Sequence, residues 1–324
     1  MSKLPNSKYL VTGCAGFIGS SLVDRLLNLG HKVIGIDNFS TGQKKFINLA
    51  LQNSNFELVE VDLLDFDNLL KHFVNIDVVF HLAANADVRF GIENTYRDLQ
   101  QNTIATYNVL ESMRLNNVYK IIFSSTGSVY GESEVIPTPE NGPFPIQTSL
   151  YGASKVAGEG LISSYCEAFN FQSWIFRFVS ILGERYTHGH VFDFYNKLTN
   201  DSNNLFVLGD GKQRKSYLYI QDCIDAMLLA MLKSDANVNI FNLGQQDFCE
   251  LNESINWICK ELKLKPKLEY GGGERGWIGD NPFIFLDTTK IQSLGWKPKV
   301  SIETGIIKTI EYLKNNEWVF EERD

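Results

Sequence analysis

Tyr151 and Lys155 stand four residues apart in Tyr151-Gly-Ala-Ser-Lys155, inside a stretch that reads as helix. Residues at i and i+4 share a helical face, so the lysine ammonium can lie beside the phenol. A free tyrosine has a pKa of about 10. A fixed cation nearby favours the phenolate and makes a general base usable near neutral pH. A surface Tyr and Lys can also fall at this spacing by chance, so the chemistry depends on what the rest of the chain builds around the pair.

The elements that must position such a pair are legible in the first half. Tyr9-Leu-Val-Thr12 is a short apolar strand that runs into Gly13-Cys-Ala-Gly16-Phe-Ile-Gly19, after which Leu22, Val23, Leu26 and Leu27 recur at helical spacing. Strand, glycine turn and helix are the setting a phosphate-binding loop requires. Gly13 permits the tight turn, Gly16 lets backbone N–H groups approach a pyrophosphate, and Gly19 lets helix and strand pack closely. The next strand, Lys32-Val-Ile-Gly-Ile-Asp37-Asn38, ends in an acid 18 residues after Gly19. A carboxylate there can accept from both adenosine ribose hydroxyls and repels a 2′-phosphate, which favours NAD over NADP.

Further strands are expected at Phe56–Asp62, Val78–Ala84 and Lys120–Thr126, separated by helical stretches. This alternation predicts an α/β fold with a parallel sheet covered on both faces, and ligands gather at the carboxyl ends of such strands. Gly13, Asp37, Asp62, Ala83, Ala84 and Thr126 all fall there. His81, inside an apolar strand, reads as a packed structural histidine. Two longer helices, roughly Thr95 to Asn116 and Ser149 to Phe169, carry more apolar and small residues than one buried face needs. That predicts a homodimer through a four-helix bundle, which a monomeric mass by light scattering would exclude.

Composition narrows the function classes. The chain has 324 residues, 44% hydrophobic and 21% charged, with a net charge of −8. That charge argues against nucleic-acid or membrane partners, so an anionic ligand must be met by local Arg and Lys. Five cysteines are scattered, with no C-x-x-C pair, and read as reduced thiols rather than a zinc site or disulfide framework. Without a signal-peptide h-region or a membrane-spanning run, the expected location is cytoplasmic. His188 and His190 form a His-x-His pair with no carboxylate or cysteine at ligand spacing, so no metal is expected.

These residues together resemble the extended short-chain dehydrogenase/reductase family, in particular its nucleotide-sugar epimerases and dehydratases. The resemblance runs over nearly the whole chain: Thr12-Gly-Cys-Ala-Gly-Phe-Ile-Gly19, Asp37-Asn38, Asp62-Leu63, His81-Leu-Ala-Ala84, Asn102, Ser124-Ser-Thr-Gly-Ser-Val-Tyr-Gly131, Tyr151-Gly-Ala-Ser-Lys155, Gly209-Asp-Gly211 and Leu294-Gly-Trp-Lys-Pro298. It implies a Rossmann-type doubly wound parallel sheet with a smaller mixed α/β substrate-binding lobe. Residues 1–178 and about 214–243 would form the NAD-binding domain. Residues about 179–213 and 244–324 would bind a nucleotide-diphosphate sugar.

The resemblance also implies roles. Tyr151 would take the proton of a sugar hydroxyl, Thr126 would orient that oxygen, and Lys155 would hold the nicotinamide ribose and lower the tyrosine pKa. The NAD site would comprise Gly13, Gly16, Phe17, Ile18, Gly19, Asp37, Asn38, Asp62, Leu63, Leu82, Ala83, Ala84, Asn102, Ser124, Tyr151, Lys155 and Phe178. Substrate contacts would come from Thr126, Ser180, Arg185, Lys215 and Arg275. Family dehydratases carry Asp or Glu just after the catalytic Thr/Ser. Gly127 and Ser128 stand here instead, which argues against dehydration and leaves reversible oxidation of a sugar hydroxyl, most often at C4 in the family. Ser180 replaces a family Asn and Lys215 a family Arg, and the Arg275–Asp280 motif has an insertion. Net oxidation to a released keto-sugar, or a noncatalytic nucleotide sensor on the same fold, stay open as alternatives.

Overall fold

The computed structural model describes residues 7–86, 90–142, 146–277 and 280–321. The chain divides into two compact units. The first contains residues up to Val129, Ser149–Arg177 and Ile224–Phe241; the second contains Tyr130–Thr148, Phe178–Cys223 and the residues from Asn242 onward. Residues 130–148 and 214–223 thus group with the second unit, whereas the family resemblance assigns them to the first.

The first unit is built on a seven-stranded sheet. Its strands are β1 (Lys8–Thr12), β2 (Lys32–Asp37), β3 (Phe56–Glu60), β4 (Val78–His81), β5 (Lys120–Thr126), β6 (Gln172–Phe178) and Val238–Leu243. Their order is Val238–Leu243, β6, β5, β4, β1, β2, β3. β1, β2, β3, β4 and β5 pair in parallel. The strands are nearly continuous apolar runs, as a sheet buried on both faces demands. Leu10, Ile34, Val79, Ile121 and Phe123 pack in one core with Val109, Met113 and Ile162 from the covering helices. Strand order reverses between β1 and β4, which makes the ends of these two strands the switch point where doubly wound sheets bind ligands. Register sets Thr12 opposite Ile36 on one side and His81 on the other, so the predicted site residues at these strand ends lie level.

Helix Phe17–Asn28 starts earlier than the apolar spacing suggests, because Gly16 itself is the N-cap. Of the two longer helices, the second spans Leu150–Phe169, capped by the Ser149 hydroxyl accepting from Gly152 N–H and ended by Asn170 in the left-handed region. The first is interrupted: Thr95–Asp98 is followed by a π-helical turn over Leu99–Ile104 and then by the helix Ala105–Leu115. Extra residues of that kind change which side chains face inward, and such turns concentrate at functional sites.

The second unit is mixed. Ser180–Leu182 pairs in parallel with Tyr217–Tyr219, and Asn204–Val207 with Lys267–Tyr270. Arg214–Lys215 lies between Cys249–Glu250 and Phe283–Ile284. Helices His190–Asn200, Leu251–Leu262 and Ile302–Lys314 complete it. The Leu294–Pro298 motif is structural. Trp296 is buried and its indole donates to Asp222 O (3.0 Å), while the Asp222 carboxylate accepts from Lys299 and Val300 N–H. All five cysteines are free thiols.

Candidate active site

The glycine turn leaves β1 with Gly13 in the left-handed region (φ +69°), its N–H bonded to Ile36 O at 2.8 Å. A Cβ on Gly13 would fall 2.8 Å from Ala83 N, and one on Gly19 would fall 1.9 Å from Gly13 O. Both positions therefore admit only glycine without moving backbone. No side chain caps the helix at Gly16, which leaves the first turn, Phe17-Ile18-Gly19, at its electropositive end. Asp37 ends β2 almost buried. Oδ2 accepts from Ala15 N–H and Oδ1 from Phe39 N–H, both at 2.9 Å. Burial raises its pKa, opposed by those backbone donors. Asn38 N–H is a third backbone donor to it, and since a carboxylate accepts about four hydrogen bonds, room stays for a ribose hydroxyl. Asn38 donates to Asp62 Oδ2 (2.9 Å), which joins the two predicted adenosine-side residues. Leu63 is buried beside them and its carbonyl accepts from Asn108.

Leu82 and Ala83 N–H groups reach the Thr12 hydroxyl at 3.2 and 3.3 Å, so the backbone leading to Ala84 is tied to the end of β1. Thr12 Oγ1 also lies 2.8 Å from His81 Nδ1, and His81 Nε2 lies 3.0 Å from Thr106 Oγ1. Thr106 in turn donates to Asn102 O. These bonds suit a neutral imidazole protonated on Nε2. Burial first, and then Lys155, pulls its pKa down to about 3. His81 is the structural histidine its apolar strand suggests.

At the end of β5 the chemistry converges. Lys155 is buried, its ammonium donating to Ser124 O at 2.9 Å and lying 6.0 Å from the centre of the Tyr151 ring. Ser124 Oγ bonds His81 O. Thr126 shares a hydrogen bond with the Tyr151 phenol. It also accepts from Ser128 N–H (3.1 Å) and donates to Ser128 Oγ (3.3 Å). Helix Leu150–Phe169 thus brings the predicted trio Tyr151, Lys155 and Thr126 into one cluster on the first unit.

The expected effect of Lys155 on the phenol is not met in this arrangement. Burial pushes Tyr151 up to about 12, opposed by Thr126 and reinforced by Asp98, while burial pulls Lys155 down to about 7. Desolvation here outweighs a cation held on a carbonyl 6.0 Å from the ring centre.

Several other residues stand where spacing did not place them. Asn102 is 1% exposed, and its amide meets Asn85, Asp98 and Ser154. Its side chain is spent inside the protein, holding helix against loop, rather than open to a cofactor. Phe178 is buried at the end of β6, grouped with the second unit. In the second unit Ser180 is exposed and Arg185 sits at φ +68°. Lys215 donates to Asp280 Oδ1 (2.7 Å) and to Asn281 O, with its ammonium 6.0 Å from the Trp277 ring centre. Arg275 pairs with Glu132 and reaches Asp280 O at 3.5 Å. The two cations expected to meet a diphosphate are therefore already engaged by carboxylates. Ile278 and Gly279 of that motif lie outside the described residues. His190 is buried with Nε2 2.6 Å from Ser254 Oγ, and among the described residues no group of three or more His, Cys, Asp or Glu could hold a metal ion.

Sequence reasoning used Ser128 only to argue against dehydration, and it missed Asp98 and Glu159. The last lies one further helical step from Tyr151 and Lys155, its carboxylate bound by Ser125 Oγ and, at 2.7 Å, by Arg177 Nη2. A stripe at 151, 155 and 159 was the available signal.

Residues 9–244 match the model of the NAD dependent epimerase/dehydratase family. The chain belongs to that family. A UDP-glucose 4-epimerase of Mycolicibacterium smegmatis is 33% identical over 313 residues, covering 94% of this chain and 98% of that protein. The crystal structure of a Thermotoga maritima UDP-glucose 4-epimerase with UDP-glucose is 32% identical, with a TM-score of 0.86 over 96% of this chain and 99% of the other. That of a Bacillus cereus UDP-glucuronic acid 4-epimerase with UDP-glucuronic acid and NAD is 30% identical, with a TM-score of 0.85 over 95% and 99%. This member of the NAD dependent epimerase/dehydratase family is an NAD-dependent enzyme, and its glycine turn and Asp37 suit that cofactor. Among the described residues no helix is long and apolar enough to cross a membrane.

Proposed function

We propose that this enzyme interconverts the C4 epimers of a UDP-sugar. The observation that carries the reading is the assembly of Tyr151, Thr126 and Lys155 at the carboxyl end of β5, in a family whose relatives are named for this reaction. Tyr151 is the general base for the sugar hydroxyl and later returns the proton, and Thr126 holds the same oxygen. Lys155 holds the nicotinamide ribose. NAD, when bound, accepts and returns the hydride and contributes a positive charge that favours the phenolate. Ser128, bonded to Thr126, occupies a place where an acid would serve elimination of water, so the ring keeps its hydroxyls.

The first unit holds NAD through Gly13, Gly16, Phe17, Ile18, Gly19, Asp37, Asn38, Asp62, Leu63 and the Leu82–Ala84 backbone. The second recognises the nucleotide sugar, with Ser180, Arg185, Lys215 and Arg275 as its polar contacts. A cytoplasmic homodimer fits the exposed apolar side chains of Tyr96, Leu99, Tyr107 and Leu150 along the two longer helices. The mass in solution tests it.

The deciding experiment incubates the purified protein, with no added cofactor, with UDP-, GDP-, CDP- and dTDP-sugars and follows the ring signals by proton NMR. A second stereoisomer from a UDP-sugar is expected. A keto-sugar formed only in stoichiometric amount, with the bound cofactor left reduced, would make the protein a dehydrogenase instead.

A further inference from the structure

Beside the Tyr151/Lys155 pair lies a carboxylate that the reaction described above does not use. Asp98 ends the helix Thr95–Asp98 where the π-helical turn begins, and it is 1% exposed. Its Oδ1 accepts from Asn85 Nδ2 (2.8 Å) and Asn102 Nδ2 (3.3 Å). Asn102 Nδ2 also donates to the Ser154 hydroxyl (2.9 Å), which donates to Tyr151 O, so two hydrogen bonds link Asp98 to the residue before Lys155. Oδ2 is buried and, among the described residues, has no hydrogen-bond partner. It faces Gly91, where a Cβ would lie 2.1 Å from Oδ2 and 3.6 Å from Cβ of Leu150, the neighbour of Tyr151.

A buried carboxylate with a bare oxygen is costly unless a cation compensates it. The charges around the pair divide in two. Glu159 is matched directly by Arg177 and by Ser125. Lys155 donates to the Ser124 carbonyl and its ammonium lies 4.8 Å from the centre of the Phe123 ring, while His81 beside it is neutral. Two acids act on Lys155, Glu159 first and then Asp98; of the two it is Asp98 that keeps an unbonded oxygen, with Arg97 and then Lys155 as the cations that act on it.

We propose that Asp98 is a positioning residue for the epimerisation: a buried counter-charge of Lys155, set to act on lysine and tyrosine together and thereby to place the pH window in which the pair works. The inference rests on Tyr151 being the base. Asp98 raises the pKa of the phenol and of the ammonium alike. Both limbs of the activity profile report the coupled titration of the phenol and the ammonium. A single negative charge therefore moves both limbs the same way, and its removal moves the whole bell toward acid.

The test is Asp98→Asn, which keeps an acceptor for Asn85 and Asn102, assayed as the NAD-loaded full chain with UDP-glucose and UDP-galactose across pH. Both limbs are expected to move down by about one pH unit, the low end of what a nearby charge does. A bell that stays in place at reduced height, or limbs that move in opposite directions, would overturn the proposal and leave Asp98 as packing for the π-turn. Asn85→Ala removes a donor that favours ionised Asp98 and should give a smaller shift in the same sense, which serves if the first variant does not fold. NMR of isotope-labelled tyrosine, with Tyr151→Phe assigning the signal, reads the phenol without turnover and should show it ionising at lower pH in Asp98→Asn. Tyr151→Phe in the same assay separates the failures. If that variant stays active, the functional reading falls; if it is inactive and the bell of Asp98→Asn has not moved, only Asp98 loses its role.

Discussion

The two units treat their cations in opposite ways. In the first, Lys155 rests on the Ser124 carbonyl, and its nearby acids act on it without forming an ion pair. In the second, Lys215 is bonded to Asp280 at 2.7 Å and Arg275 to Glu132. An ammonium has three donors, so a lysine whose task is to hold a ribose keeps donors to spare when it rests on a single carbonyl. A cation whose task is to meet an anionic ligand can rest on an internal carboxylate, which offsets its desolvation until the ligand competes. The proposed catalytic trio is thus built around a lysine held on a carbonyl, whereas the proposed diphosphate contacts are held on carboxylates.

The comparison breaks most visibly at Tyr151. Tyr151→Phe removes the hydroxyl and leaves the ring, so turnover should fall by about 10²–10⁴-fold, the usual contribution of a positioned base, while NAD stays bound to the purified protein. Turnover within a fewfold of wild type would show that the cluster on β5 is scaffolding.

A smaller effect sharpens the second half of the comparison. Arg275 and Glu132 are both nearly half exposed, so their ion pair contributes little to stability. Arg275→Ala should therefore fold normally. It should raise KM for the nucleotide sugar by about tenfold, the scale of one hydrogen bond to a charged group, with kcat nearly unchanged. An unaltered KM would mean that Arg275 serves Glu132 alone.

What the sequence made legible follows the range of the interactions. The glycine turn, the apolar strands and the Tyr151/Lys155 pair are local patterns, and each lies where the local pattern put it. Asp98, Lys215 and Arg275 were different, because their surroundings come from distant parts of the chain. Lys215 meets an acid 65 residues later, and Asn102 meets Ser154 across 52. Asp98 is harder still. In a regular helix it reads as one more polar residue between Arg97 and Gln100, and only the π-helical turn after it, together with Asn85 from the loop beyond β4, makes it an interior group. Nothing in residue spacing announces such a turn.

Each unit also buries a histidine whose pKa is pulled down to about 3 by burial, His81 in the first and His190 in the second, and the buried His31 of the first is lowered in the same way. An unfolded histidine titrates near 6.5. The unfolded chain therefore binds more protons below that pH, and the stability from the neutral imidazoles, complete above about 6.5, is lost as pH falls toward 3. Asp37, Asp98 and Glu140 have pKa values raised by burial and act in the reverse sense, favouring the fold as pH falls into the carboxylate range. Between pH 7.5 and 5.5 the histidines should dominate, at about 1 kcal/mol per pH unit each below 6.5. Scanning calorimetry should show Tm falling across that interval, and His190→Gln should lower Tm at pH 7.5 while making the decline shallower. A Tm that stays level from pH 7.5 to 5.5 would show that these imidazoles take up protons inside the fold, and the hydrogen-bond chain from Thr12 through His81 to Asn102 would then have to admit a second donor.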